Sequence, residues 1–170
     1  MSAVDVPPTS VAAGTCAVRR AAAGDRPALE RMLARCTGQT RYRRFHGPVS
    51  VFPERYLTEA LSGSPLHFAL VACLDEHDED GTVVALASCR AVDEGAAELG
   101  ILVEDEWQRR GVGGDLLREI VAYAARTGLR ALQAQVLADQ PWIVGLLRRH
   151  GTCTIAGAGQ ALHVTLSLPR

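Results

Sequence analysis

The stretch that decides the fold is Ala97–Leu117, AELGILVEDEWQRRGVGGDLL. It opens with a strand-like run, Leu99 to Val103, passes through a polar turn at Glu104 to Glu106, and reaches Gln108-Arg109-Arg110-Gly111-Val112-Gly113-Gly114. A helical pattern follows at once. Glycine has no Cβ, so backbone N–H groups at such a turn can approach a ligand closely. The first turn of the following helix has N–H groups without internal partners, which suits an anion. Arg109 and Arg110 add positive charge at the same place. The physical reading is a phosphate or pyrophosphate cradle; the plain alternative is a tight strand-to-helix connection. The turn is not a P-loop, because GxxxxGK[ST] is absent. It is not a dinucleotide fingerprint either, because the GxGxxG spacing fails after Gly113.

Within the strand, Leu99, Ile101 and Val103 share one face by the period of two, and Glu98, Gly100 and Leu102 share the other. A carboxylate inside such a strand needs a reason, since its burial is costly. Glu98 either faces a cleft or sits at a partly exposed strand end.

The segment Gln108 to Gly113 resembles the Q/R-x-x-G-x-G/A signature of the GCN5-related N-acetyltransferase (GNAT) superfamily. A second segment, Arg41-Tyr42-Arg43-Arg44-Phe45-His46-Gly47, resembles the arginine-tyrosine-x-arginine-phenylalanine segment of the bacterial protein lysine acetyltransferase group. Ala97-Glu98 and Asp105-Glu106-Trp107-Gln108 are similar to that group's approach to the turn. The resemblance covers most of Thr15 to Leu168.

It implies an α/β (α+β) GNAT-like fold, with a mixed twisted sheet of about six or seven strands and about four helices. It implies acetyl-CoA as co-substrate and no metal. Gln108, Arg109, Arg110, Gly111, Val112, Gly113 and Gly114 would hold the pyrophosphate. A backbone N–H near Leu102 or Val103 would polarise the thioester carbonyl, and Gln140 would stand where the family places an asparagine beside the coenzyme. Glu98 would be the general base, directly or through water. Arg41 and Arg44 would contact the acceptor, with Tyr42 and Phe45 packed beneath them. The family's tyrosine acid falls at Leu147, which cannot donate a proton, and its late aromatic falls at Thr152.

The implied activity is acetyl transfer to protein lysine side chains. Two alternatives stay open: acetylation of a small-molecule amine such as a polyamine or aminoglycoside, and a catalytically weak acyl-CoA-binding sensor or interaction module.

Composition is consistent with this. The chain has 170 residues, 48% of them apolar, enough for one domain with a sizeable core. Residues 1–14 read as a flexible lead-in, with an arm over a neighbour as the alternative, and 15–170 as a single domain. Net charge is -1, without the basic excess of a nucleic-acid binder. Five widely spaced cysteines form no CxxC pair, against a disulfide scaffold or structural zinc. No apolar run approaches about 18 residues, so no membrane span is expected. The expected setting is a reducing cytoplasm, as monomer or homodimer. The acidic run Asp75 to Asp80 fails the calcium-loop pattern and reads as a solvated loop.

Other elements follow from pattern. A strand is expected over Thr15 to Arg20, and a helix after Pro27 ending near Cys36 to Gly38. A basic loop is expected over Thr40 to Pro48, and a short helix over Pro53 to Leu61. Leu66 to Leu74 and Thr82 to Val92 read as a hairpin. The long helix is expected over Gly113 to Thr127, then a strand over Leu129 to Leu137 and a helix from Pro141. Thr152 to Ala156 and Ala161 to Leu168 read as a closing pair.

Overall fold

A computed structural model describes residues 9–10, 16–74, 81–157 and 159–169. The described residues alternate between an eight-stranded sheet and five α-helices: β1 (Thr9–Ser10), β2 (Cys16–Arg20), α1 (Arg26–Arg35), α2 (Gly38–Phe45), α3 (Glu54–Ala60), β3 (His67–Leu74), β4 (Thr82–Asp93), β5 (Ala96–Val103), α4 (Val112–Arg126), β6 (Ala131–Leu137), α5 (Pro141–Arg148), β7 (Thr152–Ala156) and β8 (Ala161–Ser167). The sheet order is β1-β2-β3-β4-β5-β6-β8-β7. Every pairing is antiparallel except β5–β6, which is parallel. The sheet is mixed, as expected, with eight strands and five α-helices among the described residues where about six or seven and about four were expected.

The sheet separates two cores. On one face α4 and α5 pack through Leu116, Leu117, Ile120, Val144 and Leu147 onto Phe68, Leu70, Val84 and Leu99. On the other, α1 and α3 pack through Leu29, Met32, Leu33 and Leu57 onto Ala69, Val71, Val83 and Leu102. The residues of β3 alternate between these cores, which is why His67 to Cys73 are all buried and the strand reads as one apolar run. Phe68 stacks on Tyr123 of α4 with ring centroids 3.5 Å apart. Full burial of a side chain such as Phe68 or Leu116 stabilises by about 1.5–3 kcal/mol.

Two local readings differ. Arg41 to Phe45 is helical rather than a loop: Thr37 caps α2 by accepting from the Thr40 N–H, and His46 ends it in the left-handed region at φ 56°. Thr9–Ser10, inside the expected lead-in, pairs antiparallel with Ala17 and Val18. The acidic run Asp75 to Asp80 lies outside the described residues. No helix among the described residues is long and apolar enough to cross a membrane. Four cysteines are buried and Cys153 is half-buried. Burial pushes the Cys89 thiol up to about 12, and burial with the nearby Asp105 and Glu104 pushes Cys36 up to about 11, so neither is a ready nucleophile.

Candidate active site

The site is built where the sheet comes apart. β5 and β6 pair only from Ala96↔Ala131 to Glu98↔Gln133. Beyond Glu98, β5 continues to Val103 with β4 alone, and β6 pairs on with β8. The Gly95 carbonyl accepts from Arg130 and Ala131, whereas the Glu104 N–H donates to Val84 on the opposite side. Strand hydrogen bonds alternate in direction, so the peptides of Leu99, Ile101 and Val103 point toward the opening and that of Leu102 toward β4. Of the two residues proposed to polarise a carbonyl, only Val103 therefore presents its N–H to the opening. Leu102 is buried in the α1–α3 core.

The glycine turn closes the end of this opening. Gly111 is the N-cap of α4 at φ 90°, a conformation that strongly favours glycine, and Arg109 adopts φ 60° without being glycine. Together they turn the chain so that the first-turn N–H groups of Val112, Gly113 and Gly114 face outward from the helix end. The Val112 side chain itself is buried, so only its backbone is available to a ligand. Gly113 lies against Val103, where an added Cβ would come 3.6 Å from Cγ2. Arg110 rests over the Trp107 ring at 5.1 Å. Gln108 donates through Nε2 to the Val103 carbonyl at 3.0 Å and to Thr40 Oγ1 at 3.2 Å, which fixes the turn to the end of β5 and to α2.

Two carboxylates hold the approach to the turn. Buried Glu104 accepts two bonds from Arg35, at 2.9 and 2.8 Å. Asp105 accepts from the Thr37 N–H and from the Thr37 and Thr40 hydroxyls. Burial pushes the Asp105 carboxyl upward, but these hydrogen bonds outweigh it and hold the group below its ordinary value. Neither carboxylate was singled out as functional from sequence, and their positions make them supports of the loop.

On the α1–α3 face of β5 lies a cavity of about 190 Å³, lined by Arg44, Phe45, Pro53, Tyr56, Ser88, Arg90, Glu98 and Gly100. Glu98 is half-exposed and forms an ion pair with Arg90 at 2.6 Å. Arg44 reaches the same cavity from α2. Arg41 does not: its guanidinium turns back to the Leu33 carbonyl at 3.5 Å. Phe45 packs edge-on against Phe52 and Tyr56, whereas Tyr42 is exposed, contrary to its expected packing role. Gln140 is buried at the start of α5 without capping it through its side chain. Leu147 is a core residue. His46 is held below its ordinary pKa, first by burial and then by the charge of Arg44, so it is neutral at neutral pH.

The sequence reading missed Tyr56, Ser88, Arg90 and Gly100 as cavity residues. The β4–β5 register brings Arg90 opposite Glu98 and Ser88 opposite Gly100, and α3 brings Tyr56, whose hydroxyl lies 3.0 Å from Ser88 Oγ. The Asp93–Gly95 turn signals the hairpin, but the irregularity between Ala91 and Asp93 shifts the partners by one residue from a simple count back.

Comparison with known proteins agrees with the fold. The model of the acetyltransferase (GNAT) family matches residues 30–152. The GNAT domain of S. lividans PAT superposes with a TM-score of 0.76 at 22% identity, over 91% of this chain and 92% of that one. yncA from Salmonella typhimurium, solved with its cofactor acetyl-CoA, gives 0.70 at 18% identity, over 92% and 96%. A cAMP-binding acyltransferase from Mycobacterium smegmatis gives 0.62 at 25% identity over 96% of this chain, which spans only 47% of that longer protein. No curated protein matches. Because the family model covers most of the chain and the sheet opens beside a glycine-capped helix, the protein belongs to the acetyltransferase (GNAT) family of acyl-CoA-dependent acyltransferases.

Proposed function

We propose that the protein transfers an acetyl group from acetyl-CoA to a primary amine, with protein lysine side chains as the acceptors. The observation that carries this reading is the placement of two sites on one strand. The opening beside β5 leads to the free N–H groups of α4, and the cavity on the α1–α3 face of the strand contains Glu98. The lysine assignment rests on the resemblance of Arg41 to Gly47 to the lysine acetyltransferase group. Residues 15–170 act as one domain in this reading, in a cytoplasmic setting.

Bound acetyl-CoA supplies the activated acetyl group. The N–H groups of Val112, Gly113 and Gly114 hold its pyrophosphate, with Arg109 and Arg110 adding charge. The Val103 N–H, directed into the opening, is placed to donate to a carbonyl oxygen as negative charge develops there. Glu98 takes the amine proton directly or through a water. Arg90 occupies its Oε2 at 2.6 Å, which leaves Oε1 to take the proton by either route. With leucine at position 147, the departing thiolate takes its proton from solvent or leaves without one.

The test is transfer of labelled acetyl from acetyl-CoA into a cell extract, with acceptors identified by mass spectrometry. Label on protein lysines is the expected result. Label confined to small molecules removes the lysine assignment. Acetyl-CoA binding without any transfer favours the sensor reading.

A further inference from the structure

The cavity beside Glu98 carries more positive than negative charge. Arg44 and Arg90 bring two guanidinium groups to it, and Glu98 brings one carboxylate. The Arg90 charge is answered by Glu98 at 2.6 Å. Among the described residues, no carboxylate pairs with Arg44. Its guanidinium is instead held by ring faces, 4.8 Å from the Phe45 centroid and 5.1 Å from that of Tyr56. Aromatic faces fix a guanidinium in place and leave its charge largely unneutralised. Gly100 makes the room: a Cβ there would run into the Arg44 guanidinium. A partly desolvated cation with no ion-paired carboxylate among the described residues, lining a small cavity, disfavours a second cation and favours an anion.

We propose that the acceptor carries a carboxylate close to its amine, and that Arg44 binds this carboxylate while Glu98 faces the amine. The inference rests on the acetyltransferase reading and names the acceptor's chemical class. Arginine's planar fork matches a carboxylate with two parallel hydrogen bonds. The cavity, at about 190 Å³, is smaller than the roughly 300–1,000 Å³ of drug-sized ligand sites and suits a compact amine–carboxylate pair. Two sources share that chemistry: a free amino acid, and a protein lysine with an acidic residue beside it. The same charge balance works against polyamines and aminoglycosides. The Tyr56 and Ser88 hydroxyls offer neutral hydrogen-bonding partners on the cavity wall.

The experiment uses matched acceptors and the full chain saturated with coenzyme A. One series compares amino acids with their carboxamides. The other compares lysine peptides with neighbouring glutamate or glutamine. Spermidine serves as the polycation. Affinity is read by titration calorimetry, and turnover with acetyl-CoA by thiol release. In at least one series the carboxylate member binds about ten-fold or more tightly, the scale of a charge-assisted hydrogen-bonded pair, and that series identifies the source. Arg44→Gln, which removes the charge, and Gly100→Ala, which displaces the guanidinium while keeping the charge, each bring the ratio toward one. A ratio near one in both series, tightest binding by spermidine, or a preference that survives both substitutions overturns the inference. A carboxylate preference in binding with no thiol release from any acceptor would leave the anion subsite standing and remove the transferase reading.

Discussion

The two sides of β5 are made in different ways. The α4 end is a backbone site: Gly111 at φ 90°, Arg109 at φ 60°, and three free N–H groups within a few residues of one another. The Glu98 side is a side-chain site, assembled from α2, α3, β4 and β5 across positions 44 to 100. A backbone site depends on a short run of glycines and tolerates variation in what surrounds it. A side-chain site depends on register and helix placement, so its chemistry can change without any change in fold. In the proposed function the backbone side takes the coenzyme and the side-chain side takes the acceptor.

The largest effect expected falls on the side-chain half. Glu98→Gln keeps shape but removes proton acceptance, so kcat should fall by about 10²–10⁴ if Glu98 is the base, with acetyl-CoA affinity nearly unchanged. The wild-type rate should rise with pH through an apparent pKa that the variant loses or shifts upward. If Glu98 serves only as the partner of Arg90, the variant turns over at near wild-type rate, and the loss is the small stability contribution of an exposed pair. A kcat profile against pH, with melting temperature on the same sample, separates these outcomes.

On the backbone half, Gly111→Val forces a β-branched residue into the left-handed region. Acetyl-CoA should raise the wild-type stability by about 2.7 kcal/mol at a hundred-fold excess over Kd. Calorimetry should show most of that gain lost in the variant, with acceptor affinity little altered. Equal damage to both affinities would break the separation of the two sides.

Thr40 joins the halves, since its hydroxyl donates to Asp105 at 2.8 Å and accepts from Gln108. Thr40→Val should cost about 1.5–2 kcal/mol through the bond lost to a charged acceptor. It should also raise KM for both substrates modestly, and a change confined to one KM would show that α2 does not couple the sites.

The smallest effect is on pH-dependent stability. Burial holds His46, His67 and His150 below their ordinary pKa in the folded state. Their unfolded value is near 6.5, so protonation favours the unfolded chain and stability is lost as pH falls from about 7 toward 5. Both ring nitrogens of His67 are buried without a hydrogen-bond partner, and the nearest carboxylate oxygen in an ion pair, from Glu59, is 3.9 Å from Nδ1. His67→Leu should therefore be neutral or stabilising and should flatten the acid decline in melting temperature. An unchanged acid slope would assign the effect to other groups.

How much of this was legible in sequence follows the same division. The strand, glycine turn and long helix lie in contiguous residues, and the apolar alternation of β5 sets Glu98 and Gly100 on the face opposite Leu99, Ile101 and Val103, the three residues that the structure packs with α4. The closing pair of β7 and β8 was also readable. The helix α2 was not, because Arg41 to Arg44 supplies no apolar stripe; its sign was Thr37, a capping residue three positions before Thr40. The partner of Glu98 was hidden by a register shift. Asp93 pairs with Ala96, and an undisturbed ladder would then set Arg90 opposite Leu99. The irregularity between Ala91 and Asp93 moves the pairing by one residue and brings Arg90 to Glu98. A single displaced residue decided which charge met the carboxylate.

In the proposed function acetyl-CoA enters the opening beside β5 and ends on α4. Hydrogen exchange of the wild-type protein, with and without saturating acetyl-CoA, tests it most directly. The amides of Ile101, Val103, Val112, Gly113 and Gly114 should gain protection, while those of β7 and β8 keep their rates. Saturating acetyl-CoA that leaves these five amides unprotected, or protects a different part of the sheet, would contradict the account.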